Sequence, residues 1–204
     1  MHRSRLLDPA QQPDHGNRGN QLSGWLGCLA ILFYVVHGIF QFGRGDAANL
    51  LWACHVADLC VGLGLLCRIR WLHSMGLLML LAGSPLWALN LLLGGPFLPT
   101  TLLTHIGGLA IGLAGLFFFG PPRHDWHKAL LLFVVLLVAS RLGTPVVLNV
   151  NLAFALRPLS WEITSPLAHL VVVTLGWSLA LWLAERAACF LAHLALSERF
   201  NPVG

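Results

Sequence analysis

The chain has 204 residues, of which 57% are hydrophobic and only 10% charged, with a net charge of +4 and a mean hydropathy of +0.75. A soluble domain carries roughly 25% charged residues, so these values exclude an ordinary soluble fold and imply a multi-spanning membrane protein. The positive charge does not speak for nucleic acid. The basic residues are scattered between apolar stretches, where they orient a protein in its membrane.

Met1–Gln21 is polar and is expected to be a disordered cytoplasmic tail rather than a signal peptide, since no small-residue cleavage site follows the first apolar stretch in frame. About 20 apolar residues span a bilayer. Six stretches approach that length: Leu22–Phe42, Ala48–Cys67, Trp71–Leu93, Thr100–Gly120, Ala129–Leu148 and Pro166–Phe190. The expected fold is therefore an all-α membrane protein, six transmembrane helices in a compact bundle over residues 22–190. A cytoplasmic tail over 191–204 follows. The fourth stretch carries Gly107, Gly108, Gly112 and Gly115, whose spacing favours close helix packing.

With six spans, Arg3, Arg5, Arg18, Arg68, Arg70, Arg123, Lys128, Arg186 and Arg199 fall on one side, and Arg44 and Arg157 on the other. The positive-inside rule then puts both termini in the cytoplasm. Five cysteines (28, 54, 60, 67 and 189) sit in apolar stretches without a CxxC pair, so neither a disulfide framework nor a zinc ribbon follows. Several of the eight tryptophans lie near span ends, as an interfacial aromatic belt has them.

The second stretch contains Cys54, His55 and Asp58 within about one helical turn. Ionisable groups inside a span are costly and are functional candidates by default. Cys54 and Asp58 are four apart and share a helix face, and His55 and Asp58 are three apart. The same outer depth collects His37, Asn90, His105, Arg141, Asn149, Asn151 and His169 from the other spans. A cavity opening outward would gather these groups. Each has a plainer explanation: a transmembrane His commonly makes a helix-to-helix hydrogen bond, a Cys there is commonly an apolar filler, and Asn149 and Asn151 suit a helix end. His124 and His127 are expected in a solvated loop.

Three segments carry a resemblance. LLWACHVADL (Leu50–Leu59), LLTHIGGL (Leu102–Leu109) and Asn149–Trp177 resemble, in order and spacing, the Cys, His and Asn-x-Asn segments of the YwaF-like integral membrane proteins. They cover about a third of the chain. Trp52, His55, Leu152 and Ala153 depart from the pattern. The eukaryotic relatives of that family are acyltransferases that use a Cys and a His, and the androgen-induced hydrolases resemble it more distantly.

The resemblance implies an intramembrane acyltransferase or lipid-ester hydrolase. Cys54 would be the nucleophile, His105 its base, and Asp58 or an Asn the group that orients the imidazole. The substrate-binding groups would be His37, His55, Asn90, Arg141, Asn149, Asn151 and His169. Membrane lipid is the expected partner, with no nucleic acid, no cofactor and no resident metal; the oligomeric state is open. A bacterial inner (plasma) membrane is expected from the resemblance alone. Two alternatives remain. One is a metal-dependent enzyme liganded by His37, His55, Asp58, His105 and His169 from separate helices. The other is a small transporter, sensor or assembly factor without catalysis.

Overall fold

The computed structural model describes the backbone of residues 15–155 and 165–200, and side chains over 19–155 and 165–194. Residues 156–164, with Arg157 and part of the Asn149–Trp177 segment that carries the resemblance, lie outside the described residues, as do 1–14 and 201–204. The described chain is helical, with no strand. A bilayer core offers no water to satisfy open amides, so helices are the available solution.

The helices are α1 (His15–Gly43), α2 (Ala53–Leu66), α3 (Arg70–Leu92), α4 (Pro99–Phe119), α5 (Trp126–Gly143) and α6 (Pro166–Phe200). Five of them, all but α2, contain segments long and apolar enough to cross a membrane. The span expected at Ala48–Cys67 is not among these five. The chain there makes a 3-10 turn, Ala47–Leu51, and then a helix of 14 residues, about 21 Å long against a core of about 30 Å. Ten residues of α2 are buried, so most of this helix is enclosed by its neighbours, with Leu63 and Leu66 exposed. The ends also shift. Helix α1 starts inside the expected N-terminal tail, and α6 runs ten residues beyond Phe190. Helix α5 stops at Gly143, where Pro145 removes a backbone donor and disfavours helix before it.

Glycines let α1 and α3 clamp α2. A Cβ at Gly27 would lie 2.7 Å from the Gly62 carbonyl, and one at Gly76 would lie 2.5 Å from the Ala57 carbonyl. The glycines of α4 serve packing as their spacing implied: Gly108 sits against Asp58, Gly112 against Leu77 and Gly115 against His73. Around this clamp, Val61, Leu65, Leu77, Leu78, Leu80, Phe133, Leu137 and Leu181 are fully enclosed. The Phe133 and Trp177 rings stack with centroids 4.3 Å apart, tying α5 to α6.

The two ends of the bundle differ. At one end Arg68 bonds Asn20, Arg70 donates to the Pro121 carbonyl (2.5 Å) and Lys128 pairs with Asp125 (2.7 Å). Glu185 of α6 accepts the open N–H groups of Asp125 and Trp126, both at 3.3 Å. It thereby supplies from another helix the cap that the start of α5 lacks locally. The opposite end, where α1, α3 and α5 finish and α2, α4 and α6 begin, holds the polar residues considered next.

Candidate functional site

The site is built around α2. Its first turn is set by the 3-10 turn before it, because the Asn49 carbonyl accepts a hydrogen bond from His55 Nδ1 (2.8 Å). A carbonyl accepts only, so the proton sits on Nδ1 and the lone pair on Nε2. His55 then packs between two other imidazoles. The His37 ring from α1 lies 4.0 Å away and the His105 ring from α4 lies 5.8 Å away, centroid to centroid. All three rings are almost wholly enclosed.

His37 is held at both nitrogens. Nε2 accepts from the Gln41 amide (3.2 Å) and Nδ1 donates to the Thr100 hydroxyl (2.9 Å). It joins α1 to α4 and has no lone pair left for a ligand.

His105 sits where α4 changes its winding. Residues Leu103–Gly107 form a π-helical turn, a rare distortion found often at functional sites. Its Nδ1 donates to the Thr101 carbonyl (3.0 Å), which also accepts the Thr104 hydroxyl (3.2 Å). The Trp87 ring stacks on the imidazole at 4.7 Å, and the Ser84 hydroxyl donates to the His105 carbonyl (3.1 Å). The His55 and His105 tautomers match, and neither Nε2 has a hydrogen-bond partner among the described residues. Two basic lone pairs therefore remain on neighbouring buried rings.

Cys54 faces a different neighbour. A Cβ at Gly83 of α3 would lie 2.5 Å from the Cys54 sulfur and 3.7 Å from the Trp177 ring, so the thiol fills the space of a missing side chain. It makes no hydrogen bond to His105. Yet Gly83, Ser84 and Trp87 belong to one turn of α3, and that turn touches the thiol at one residue and His105 at the other two. Asp58 lies a turn below Cys54, fully buried against Gly108. Neither carboxyl oxygen has a partner among the described residues. Asp58 makes no hydrogen bond to His105, whose Nδ1 is held by the Thr101 carbonyl.

The remaining expected site residues form a second network with a structural task. The segment after α5 makes two tight 3-10 turns, Val146–Leu148 and Val150–Leu152. Asn149 and Asn151 adopt left-handed backbone (φ 44° and 56°), which Asn tolerates better than most residues. Asn149 folds this loop on itself by accepting the Phe154 and Ala155 N–H groups, both at 2.9 Å. Asn151 reaches out of the loop. Its Oδ1 accepts the Ala53 N–H (2.7 Å), and its Nδ2 donates to the Leu51 carbonyl (2.8 Å) and the Ser140 hydroxyl (2.9 Å). Arg141 donates to the Ala153 carbonyl (2.6 Å) with its guanidinium over the Phe154 ring, and His169 donates to the Leu152 carbonyl (2.7 Å). The polar atoms of these four side chains hold the loop and the start of α2. Asn90 is exposed at the end of α3 beside Gly95 and joins neither network.

Sequence reading missed Gly83, Ser84 and Trp87 as parts of the site, and Gln41, Thr100 and Thr101 as the partners of its histidines. Gln41 carries a weak signal, being four residues after His37 on the same helix face. The others are ordinary residues of apolar spans. No group of three or more His, Cys, Asp or Glu side chains among the described residues is arranged to hold a metal ion; His37 is committed at both nitrogens, and His169 bonds the loop. No family model matches the chain, and no curated protein or solved structure matches it either.

Proposed function

We propose that this protein is an intramembrane enzyme that transfers an acyl group from a membrane-lipid ester, with Cys54 as nucleophile and His105 as base. The observation that carries the reading is the α3 turn that touches both residues, the Cys54 thiol at Gly83, the His105 backbone carbonyl at Ser84 and the His105 imidazole at Trp87. The unpartnered His105 Nε2 is the right atom for a base, since Nδ1 is fixed on the Thr101 carbonyl. The resemblance of the Cys54 and His105 segments to the YwaF-like proteins favours the same pair. Catalytic hydrogen bonds commonly tighten only in the substrate complex, and the thiol leaves Gly83 for Nε2 as the ester enters.

The chemistry balances without a further reactant. His105 Nε2 takes the thiol proton, and sulfur attacks the ester carbonyl carbon. The sulfur–carbon bond forms, the carbon–oxygen bond breaks, and the alcohol leaves with the proton from His105. An acceptor hydroxyl, or water, then attacks the thioester, giving its proton through His105 back to sulfur. The test is mass spectrometry of Cys54 after incubation of the reconstituted protein with phosphatidylcholine. An acyl mass that hydroxylamine removes is expected, together with loss of transfer by more than about 100-fold in His105→Ala. Full transfer by Cys54→Ala sinks the reading.

On the same reading the basic end of the bundle is cytoplasmic, the host membrane is a bacterial inner membrane, and α2 with its leading turn makes the second of six passes. A 14-residue helix and a five-residue 3-10 turn laid end to end reach about 30 Å, close to the bilayer core. Thiol-reactive probes that cannot cross membranes, tried on single cysteines at Gly45 and Gly94 in a background without other cysteines, are expected to label both from outside intact cells. Labelling of neither, or of Gly45 alone, would overturn this topology.

A further inference from the structure

Asp58 belongs to neither network, and acyl transfer as written does not use it. The other described carboxyl groups have partners: Asp46 pairs with Arg44, Asp125 with Lys128, and Glu185 accepts two backbone N–H groups. Asp58 has no exposure, and neither of its oxygens has a partner among the described residues. The packing makes room for it. A Cβ at Gly108 would overlap Asp58 Oδ1, so α4 carries no side chain where the carboxyl lies. An ionised carboxylate enclosed and unpaired in this way is among the costliest groups to bury. A metal ion beside it would need several further ligands, and the described residues bring no such group together. A proton is the cation that a lone carboxyl holds by itself.

The carboxyl has ionisable neighbours toward one end of the bundle. One turn toward the polar end, about 4.5 Å along the helix axes, His55 precedes Asp58 on α2 and His105 precedes Gly108 on α4. Each has an Nε2 without a hydrogen-bond partner among the described residues. Cys54 is the other titratable group on that side of α2, and His37 of α1 packs on the His55 ring. On α3, residues 77–82 lie between the glycines that meet Ala57 and Cys54, and they hold no ionisable side chain. Toward the basic end, Val61 and Leu77 close over Gly112, and the next imidazole, His73, bonds the Gly112 carbonyl.

We propose that Asp58 is an intramembrane proton-binding site that exchanges its proton with the polar end of the bundle through His55 and His105. The carboxyl O–H bond breaks, an imidazole Nε2 takes the proton, and the imidazolium passes it to water at that end; reloading runs the same steps backward. Carboxylic acid and imidazole become carboxylate and imidazolium, so the first transfer leaves the total buried charge unchanged. A water between the two groups has an acceptor on each side. Asp and His inside membrane spans commonly serve as proton relays. The inference does not rest on acyl transfer.

The experiment is infrared spectroscopy of the full-length protein in phosphatidylcholine vesicles, with carbon-13 aspartate to assign the signal. In neutral buffer an ordinary aspartate is ionised, so a protonated aspartic-acid C=O band in the wild type, absent from Asp58→Asn, is the expected result. In heavy water the band shifts as the proton exchanges. That exchange is expected to slow several-fold in His105→Gln, and about 100-fold when His55→Gln is added. Thermal melting checks that each variant folds. Asp58→Asn, neutral like the acid, is expected to melt with the wild type. Aspartate signals of carboxylate alone in the wild type would overturn the site without recourse to any variant. Exchange as fast in the folded double variant as in the wild type would overturn the route through the imidazoles.

Discussion

Gly83→Ala is expected to lower acyl transfer by about 100-fold, and to destabilise the protein only when Cys54 is present. The added methyl would sit 2.5 Å from the Cys54 sulfur, whereas non-bonded heavy atoms rest at about 3.5–4.0 Å. The sulfur must move by about 1 Å, or α2 and α3 must part. Overpacking of this kind costs about 1–3 kcal/mol, and misplacing a reacting atom by about 1 Å costs about 100-fold in rate. The Cys54→Ala background separates the two effects. There the methyl meets only the Cβ at position 54 (3.8 Å) and the Trp177 ring (3.7 Å), both ordinary contacts. Gly to Ala inside a helix is intrinsically favourable by up to about 1 kcal/mol, so the sign of the stability change reverses. A thermal-melt double-mutant cycle reads this coupling directly. Equal destabilisation in both backgrounds would show that sulfur does not fill the Gly83 space.

Asn151→Ala is expected to be the most damaging single truncation for the fold, at about 3 kcal/mol or more. A transmembrane side-chain hydrogen bond averages only about 0.6 kcal/mol, so the number of bonds does not decide this. What decides it is their partners. Asn151 serves the buried Ala53 N–H at the start of α2 and the half-buried Leu51 carbonyl just before it. Each such group left unpaired costs about 1–3 kcal/mol. Alanine also tolerates the left-handed backbone at 151 less well than asparagine. Against a total stability of about 5–15 kcal/mol, the loss is expected to lower the melting temperature in detergent sharply. Asn151→Asp keeps the acceptor and loses the donors, so it should fall between. Asn149→Ala should cost less, because the hydrogen bonds of that side chain stay within its own loop. A melting curve for Asn151→Ala matching wild type would refute this account.

These two residues also separate what each level of organisation determines. The membrane class, the helical fold and five of the spans follow from the sequence, because a long apolar run has one stable form where water is absent. The packing role of the α4 glycines follows too, since spacing alone puts them on the faces their neighbours meet. The short form of α2 does not follow. Hydropathy counts Ala48–Leu51 as helix, whereas the tertiary structure turns it into a 3-10 segment whose carbonyls accept from His55 and Asn151.

The site divides in the same way. Polar side chains in apolar spans are conspicuous in sequence, so His37, His55, His105, Asn149, Asn151, Arg141 and His169 are all legible as residues that must find partners. Which partners they find is set by contacts between residues as much as 100 apart. Those contacts sort the candidates into an imidazole row around α2 and a scaffold that anchors the loop after α5. They also leave Asn90 outside and the buried Asp58 without a partner. The link between Cys54 and His105 passes through a glycine, a serine and a tryptophan of α3. Residue type does not mark those three positions; only the packing of α3 against α2 and α4 gives them their place.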